Sequence, residues 1–296
     1  MFCPRFFVTL DKLLHLGIKS KEVCFVLPSI FRNFAIVKQN RGMTGTYILA
    51  GTTTRIDSVH AYVHEMCRDY KAPAARQEEL TIHTTQEDIE RERAESEKER
   101  LAEGLPPCRF DDGYIESLCV YRKISTEMAL RHNTMLMHGS AIAVDGNAYM
   151  ITAASGTGKS THTRLWRELY GHRAVMINDD KPLVKVLPGL SAENPDITIY
   201  GTPWNGKHGI GTNTSAPLKA ICILERGDTN EVCRLEAAEA YAAILSQTFR
   251  PKDITADINT YRMMAYLVEN IGVYRIRCNM DINAAKTVSR AIGVNP

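Results

Sequence analysis

Apolar positions along the 296-residue chain fall into two rhythms that change near its middle. Up to about residue 80, short apolar runs such as 22–27 (EVCFVL) and 46–51 (TYILAG) alternate with polar breaks. This predicts a few strands, with a helix around 59–70 (VHAYVHEMCRDY). Residues 84–104 (TTQEDIERERAESEKERLAEG) are dense in both signs of charge and low in apolar residues. Their acid-to-base spacing predicts an exposed helix or arm at a domain edge, stopped by Gly104, Pro106 and Pro107. A further helix is predicted over 114–132. From Met137 onward strands and loops crowd together. Strands 140–144 and 147–153 flank Asp145-Gly146-Asn147, a hairpin signal, because Gly and Asn accept the positive φ of tight turns. The helix predicted at 160–171 places Leu165, Trp166 and Leu169 on one face, with Gly171 as its cap. Strands follow at 174–178, 182–186, 197–200 and 219–224. Helices are predicted at 235–249, 259–270 and 281–292, with a strand at 273–278 between the last two. No internal repeat interrupts this order.

The second strand of the hairpin runs into Ala153-Ala154-Ser155-Gly156-Thr157-Gly158-Lys159-Ser160. A strand, a glycine-rich turn and Lys-Ser at a helix start gather backbone N–H groups and the positive end of a helix dipole around one anion. The pattern predicts nucleotide phosphate binding by Ala154, Ser155, Gly156, Thr157, Gly158, Lys159, Ser160 and Thr161. Lys159 would act on the outer phosphates and the Ser160 hydroxyl on Mg²⁺. Ala153 stands where such loops open with glycine. The substitution costs almost nothing at negative φ and on the order of 1 kcal/mol at positive φ.

Asp179 and Asp180 close the strand after the loop and helix, where a second acidic motif would meet the metal and the terminal phosphate. Adjacent carboxylates at a strand end point in different directions, so one can hold metal while the other accepts a proton. His138 begins the hairpin strand, and the sequence leaves open which end of the sheet that is. Lys207, in a glycine loop, is a candidate cation for the transferring phosphoryl group, and Arg250 a weaker one. Trp204 reads as packing. His60 and His64 have the spacing of a metal pair but no evident third ligand.

A net charge of +2, from 36 basic and 34 acidic residues, supplies no global attraction to nucleic acid or to an anionic membrane. The eight scattered cysteines include no C-x-x-C pair, which favours reduced thiols in a cytoplasm. The apolar start, 1–10, is interrupted by Asp11, Lys12 and His15 before it reaches the length of a span. The expectation is a cytoplasmic protein with neither a membrane nor a nucleic-acid partner.

The run MHGSAIAVDGNAYMITAASGTGKS with GHRAVMINDDKPLV resembles the catalytic domain of HPr kinase/phosphorylase, and its loop is equally similar to that of ATP-dependent phosphoenolpyruvate carboxykinase. The segments YGTPWNGKH, ICILERG and YRIRCNMDINAAK resemble an uncharacterised bacterial branch of that group. The similarity covers about 130 to 296. It implies an α/β fold: an HPr kinase/phosphoenolpyruvate carboxykinase-like P-loop domain with a mixed β-sheet, plus a smaller N-terminal α+β region. The domains would be 1–125, of unknown role, and 126–296, binding ATP.

The resemblance further implies ATP and Mg²⁺ as cofactors, Asp179 as base on an acceptor hydroxyl, Asp180 and Ser160 at the metal, and His138 supporting the phosphate site. It also implies a homo-oligomer. The expected activity is an ATP-dependent kinase acting on a hydroxyl of a small molecule, peptide or protein. The alternatives are a nucleotide-sensing regulatory module and a carboxykinase. One departure is visible. HPr kinases carry Glu-x-Arg-Gly-x-Gly-Ile downstream, where this chain reads ITIYGTPWNGKHGIGTN, without the glutamate. HPr recognition and reverse phosphorolysis are not carried over at that point.

Overall fold

Ala50 and Gly51, with φ of 48° and 78°, turn the chain between strands β1 (Met43–Leu49) and β2 (Thr52–Ser58). Two successive residues of positive φ give the turn whose twist matches that of a hairpin. The computed structural model describes residues 42–102, 104, 106–187, 196–206 and 208–295. The strand expected at 22–27 and the candidate Lys207 lie outside the described residues. Gly42–Pro296 fall in one compact unit.

β3 (Leu80–His83) adds to β2 in parallel, completing a three-stranded sheet. The helical signal at 59–70 is realised as a short helix, α1 (Tyr62–Met66), and a single 3₁₀ turn, Arg68–Tyr70. The charged stretch forms α2 (Gln86–Ala102) and packs beside α3 (Asp112–Arg131). Asp111 caps α3 by accepting from the Tyr114 amide at 2.8 Å. Ile115, Cys119, Val120, Ile124 and Met128 are buried along one side of α3. α2 is largely exposed, as its charges predict, and two of its residues, Ile89 and Glu92, are buried; Glu92 is 5% exposed and accepts from Arg122 at 3.0 Å. Arg122 also reaches Glu99, and Lys123 reaches Asp88, both at 2.7 Å. α3 shares a core cluster with Tyr47, Ile56 and Leu80 on one side and Leu136, Leu183 and Trp204 on the other.

The remaining strands are β4 (Thr134–Leu136), β5 (Ser140–Val144), β6 (Asn147–Thr152), β7 (Ala174–Asn178), β8 (Leu183–Leu187), β9 (Asp196–Tyr200), β10 (Ser215–Arg226), β11 (Glu231–Arg234) and β12 (Gly272–Cys278). They form a nine-stranded mixed sheet in the order β4-β8-β9-β10-β6-β5-β7, with β12 also on β10 and β11 on β12. β10 changes partners along its length. Ser215–Pro217 pair antiparallel with β9, whereas the residues from Leu218 on pair in parallel with β6 and, from Ala220, with β12.

Helices α4 (Lys159–Tyr170) and α7 (Ile282–Ala291) cover one face, and α5 (Ala237–Leu245) and α6 (Ile254–Asn270) the other. Strand alternation divides the core between them. Ala148 and Met150 of β6 pack with Met263 and Leu267, while Tyr149 and Ile151 pack with Trp166 and Val288. The expected α/β class with a mixed sheet is what the chain adopts. Among the described residues, no helix is long and apolar enough to cross a membrane.

Candidate functional site

Topology alone brings the candidate residues to one edge. β5 and β6 form an antiparallel hairpin through Asp145-Gly146, with φ of 50° and 78°, so the start of β5 lies beside the end of β6. β7 runs antiparallel to β5, so its end comes to the same place. His138, the loop after β6 and Asp179-Asp180 therefore converge, which answers the question of end left open for His138. A cleft of about 440 Å³ is lined by His138, Ser155, Gly156, the residues Gly158 to Thr161, Asp179, Asp180, Gly206 and His208, with Ala154 and Thr157 contributing to the loop but not to the lining.

Gly156 and Gly158 hold φ of 77° and 122°, values that glycine adopts freely. Ala153 has no positive φ and is 5% exposed within the α4 side of the core, so alanine at this position carries no backbone strain. The loop is tied internally: the Thr157 hydroxyl donates to the Ala154 carbonyl at 2.9 Å. Lys159 is nearly buried, and its Nζ donates to the carbonyls of Ala153 at 3.0 Å and Ala154 at 3.4 Å. Burial lowers its pKa, opposed by the Asp180 carboxylate and helped by Lys181. Gly158 caps α4 without a side-chain bond, and no acidic residue occupies the first turn. The N-terminal dipole therefore faces the cleft uncompensated from within its own helix.

The two aspartates have different surroundings. Asp179 is 3% exposed; its Oδ1 accepts from the Gly206 amide at 2.6 Å, and its buried Oδ2 has no partner. Asp180 is engaged at both oxygens, Oδ1 lying 3.4 Å from His138 Nε2 and Oδ2 3.7 Å from Lys181 Nζ. Burial would raise the Asp180 pKa, but the His138 hydrogen bond with the charges of Lys181, His138 and Lys159 outweighs it and holds the carboxyl below its ordinary value. Asn178 braces the turn, its Oδ1 accepting from the amides of Asp180 and Lys181 and its Nδ2 donating to Thr202. The His138 amide donates to the Gln247 carbonyl at 2.7 Å, and the Thr152 hydroxyl donates to the His138 carbonyl.

Three contributors are absent from the sequence reading: Lys181, Gln247 and Arg226. Arg226 donates to the carbonyls of Gly156 at 2.5 Å and Thr157 at 3.0 Å and so clamps the loop from β10. Lys181, adjacent to the Asp-Asp pair, was visible as a nearby cation; the other two are brought in by distant pairing. Arg250 is turned to Asp257 at 2.5 and 2.7 Å and lies over Tyr261, lining a different cavity. Trp204 is buried, donates to the Ser117 carbonyl and packs on Tyr121. His64 has both ring nitrogens engaged, by Tyr47 and Ser58. Among the described residues, no three His, Cys, Asp or Glu side chains cluster as a ready metal site.

A family model described as "SynChlorMet cassette protein ScmC" matches residues 115–292, more than half of the chain and all of the cleft. The chain belongs to this family. No curated protein matches. Among solved structures, this ScmC-family chain is similar to one titled "Structure of the Hpr(Ser) kinase/phosphatase from Coxiella burnetii". The identity is 10% over 53% of this chain and 93% of that one, with a TM-score of 0.28.

Proposed function

We propose that the chain is an ATP-dependent phosphotransferase that moves the γ-phosphoryl group to a hydroxyl of a small molecule, peptide or protein. The observation that carries the reading is the convergence, in one cleft, of a glycine-rich loop with Lys159 and Ser160 and of Asp179, whose Oδ2 is buried and unpartnered. A buried carboxylate oxygen without a donor costs free energy unless a ligand satisfies it. An acceptor hydroxyl would do so by donating its proton.

In the transfer, Asp179 Oδ2 takes the hydroxyl proton as the acceptor oxygen bonds to the γ-phosphorus and the bond to the β–γ bridging oxygen breaks, leaving ADP. The Gly206 amide holds the other carboxylate oxygen and so fixes the direction of the base. Lys159 would leave the Ala153 and Ala154 carbonyls for the phosphates, a better partner for a desolvated ammonium. The oxygen donors Ser160 and Asp180 suit Mg²⁺, a hard cation that keeps few protein ligands, and such a metal would supply charge neutralisation for the phosphates. His138 and Lys181 would keep Asp180 ionised and oriented. The region 1–125 is a candidate for acceptor recognition, and Lys207 for charge on the transferring group.

The deciding experiment is transfer from γ-labelled ATP with Mg²⁺, using wild type beside Asp179→Asn. Cell extract and the other products of the cassette that names the family would supply acceptors. Asp179-dependent labelling supports the reading. Saturable ATP binding without such labelling would replace it with a nucleotide-sensing module.

A further inference from the structure

On the far side of the glycine-rich loop lies a second cavity, of about 590 Å³, that shares Gly156, Gly158 and Thr161 with the cleft as a common wall. Leu224 closes on that wall. Its Cδ2 lies 3.9 Å from where a Cβ on Gly158 would stand. Leu165 and Met280 add apolar surface, and Met280 is 78% exposed at the rim. An exposed thioether at a cavity mouth is adaptable and packs well against aromatic rings. His162 lines the same cavity. Its side chain is 2% exposed and forms part of the wall beside Leu165.

Further polar groups stand on two adjoining turns. Asp228 and Asn279 come from the turns after β10 and β12, which are pinned together by Gly227 N to Cys278 O at 3.1 Å and by Asn279 Nδ2 to Asp228 O at 3.4 Å. Arg226, one residue from that pin, holds the loop itself. The cavity is therefore fixed relative to the phosphate wall, with apolar sides, the Arg226 guanidinium engaged by the loop carbonyls, and one exposed carboxylate.

We infer that this cavity takes the nucleoside half of the ATP, with the base between Leu165, Leu224 and Met280 and the ribose hydroxyls on Asp228. The inference rests on the phosphotransferase reading for the phosphates but not for the cavity itself. A planar, uncharged heteroaromatic ring suits the apolar surface of Leu165, Leu224 and Met280, and the cavity volume falls within the range of small-ligand pockets. A carboxylate that accepts from a ribose diol makes charge-assisted hydrogen bonds. The outer cleft then keeps Asp179 clear for the acceptor, because the nucleoside leaves on the opposite side of the loop.

The test is calorimetric titration of three probes, ATP, adenosine and inorganic tripolyphosphate, each with wild type, Asp228→Ala and Met280→Glu. Both positions are exposed, so neither variant removes core. The expected result is a rise of about tenfold in Kd for ATP and adenosine in each variant, with tripolyphosphate unchanged. Wild type should also prefer ATP to its 2′,3′-dideoxy form, a preference that Asp228→Ala loses. Unaltered ATP and adenosine affinities in both variants would overturn the cavity assignment while leaving the phosphate loop standing. Failure of tripolyphosphate to bind, with adenosine still sensitive to both variants, would overturn the phosphotransferase reading and keep the cavity. Wild type that binds neither ATP nor adenosine would overturn the inference.

Discussion

The backbone amide of Gly206 donates to Oδ1 of Asp179 at 2.6 Å, and a methyl group on that glycine would stand 2.5 Å from the same oxygen. The loop after β9 thus approaches the carboxylate as closely as a residue can, and it does so only without a side chain. Gly206→Ala is expected to cost about 1–3 kcal/mol through the forced shift. It should also lower transfer activity more than ATP affinity. Urea unfolding and steady-state kinetics on the same variant separate the two effects.

Lys159 carries the next prediction. Lys159→Met keeps the stem but removes the ammonium, so ATP affinity should fall by about tenfold to a hundredfold, the worth of one charged hydrogen bond. Folding stability should hold or rise, because a desolvated charge has been removed. Equal ATP affinity in the variant, measured by titration, would exclude the lysine from the phosphate site.

Ala153 invites the reverse substitution. Restoring glycine should not improve nucleotide binding, since the position does not need positive φ. Ala153→Gly should instead destabilise by about 1–2 kcal/mol, from backbone entropy and a lost buried methyl. A thermal melt and a nucleotide titration check both halves.

His162 gives a pH dependence. Its folded pKa, about 4, is depressed from an ordinary 6.5, so below 6.5 the unfolded chain takes up a proton that the folded chain refuses. Its contribution to stability is therefore fully present above pH 6.5 and is lost as pH falls toward 4, by a total on the order of 3 kcal/mol. In His162→Gln this part of the pH dependence should vanish. The difference between the two urea-midpoint profiles isolates it from other titrating groups.

Arg122 joins α2 to α3. Arg122→Ala leaves Glu92, already pushed up in pKa by burial, without its guanidinium partner. Because Arg122 is partly exposed, the expected loss is about 2–3 kcal/mol, below that of a wholly buried pair. The double variant with Glu92→Met should recover part of it, as read by chemical denaturation.

These residues mark what could be read along the chain. The Asp145-Gly146 hairpin, the loop between β6 and α4, and the Asp-Asp strand end were legible because each depends on neighbours within a few positions. Arg226 and Gln247 were not, because they meet Thr157 and Thr152 from 69 and 95 residues away. Nothing local announces that pairing. β10 read as a strand over 219–224, yet it begins at Ser215, because its first residues pair with β9 rather than with β6. For α2, polar residues on every side gave no apolar stripe, and the ion pairs that seat it on α3 depend on a helix that lies later in the chain.

The partner exchange of β10 sets an order for biosynthesis. β6 carries the glycine-rich loop, and β9 leads toward Gly206. Both must wait for one later strand before their pairings are complete. A nascent chain that has left the ribosome only through β9 holds β6 and β9 with open strand edges. The elongating polypeptide is therefore most exposed to misassociation between the emergence of β6 and that of β10, and a chaperone that shields strand edges would matter most in that interval.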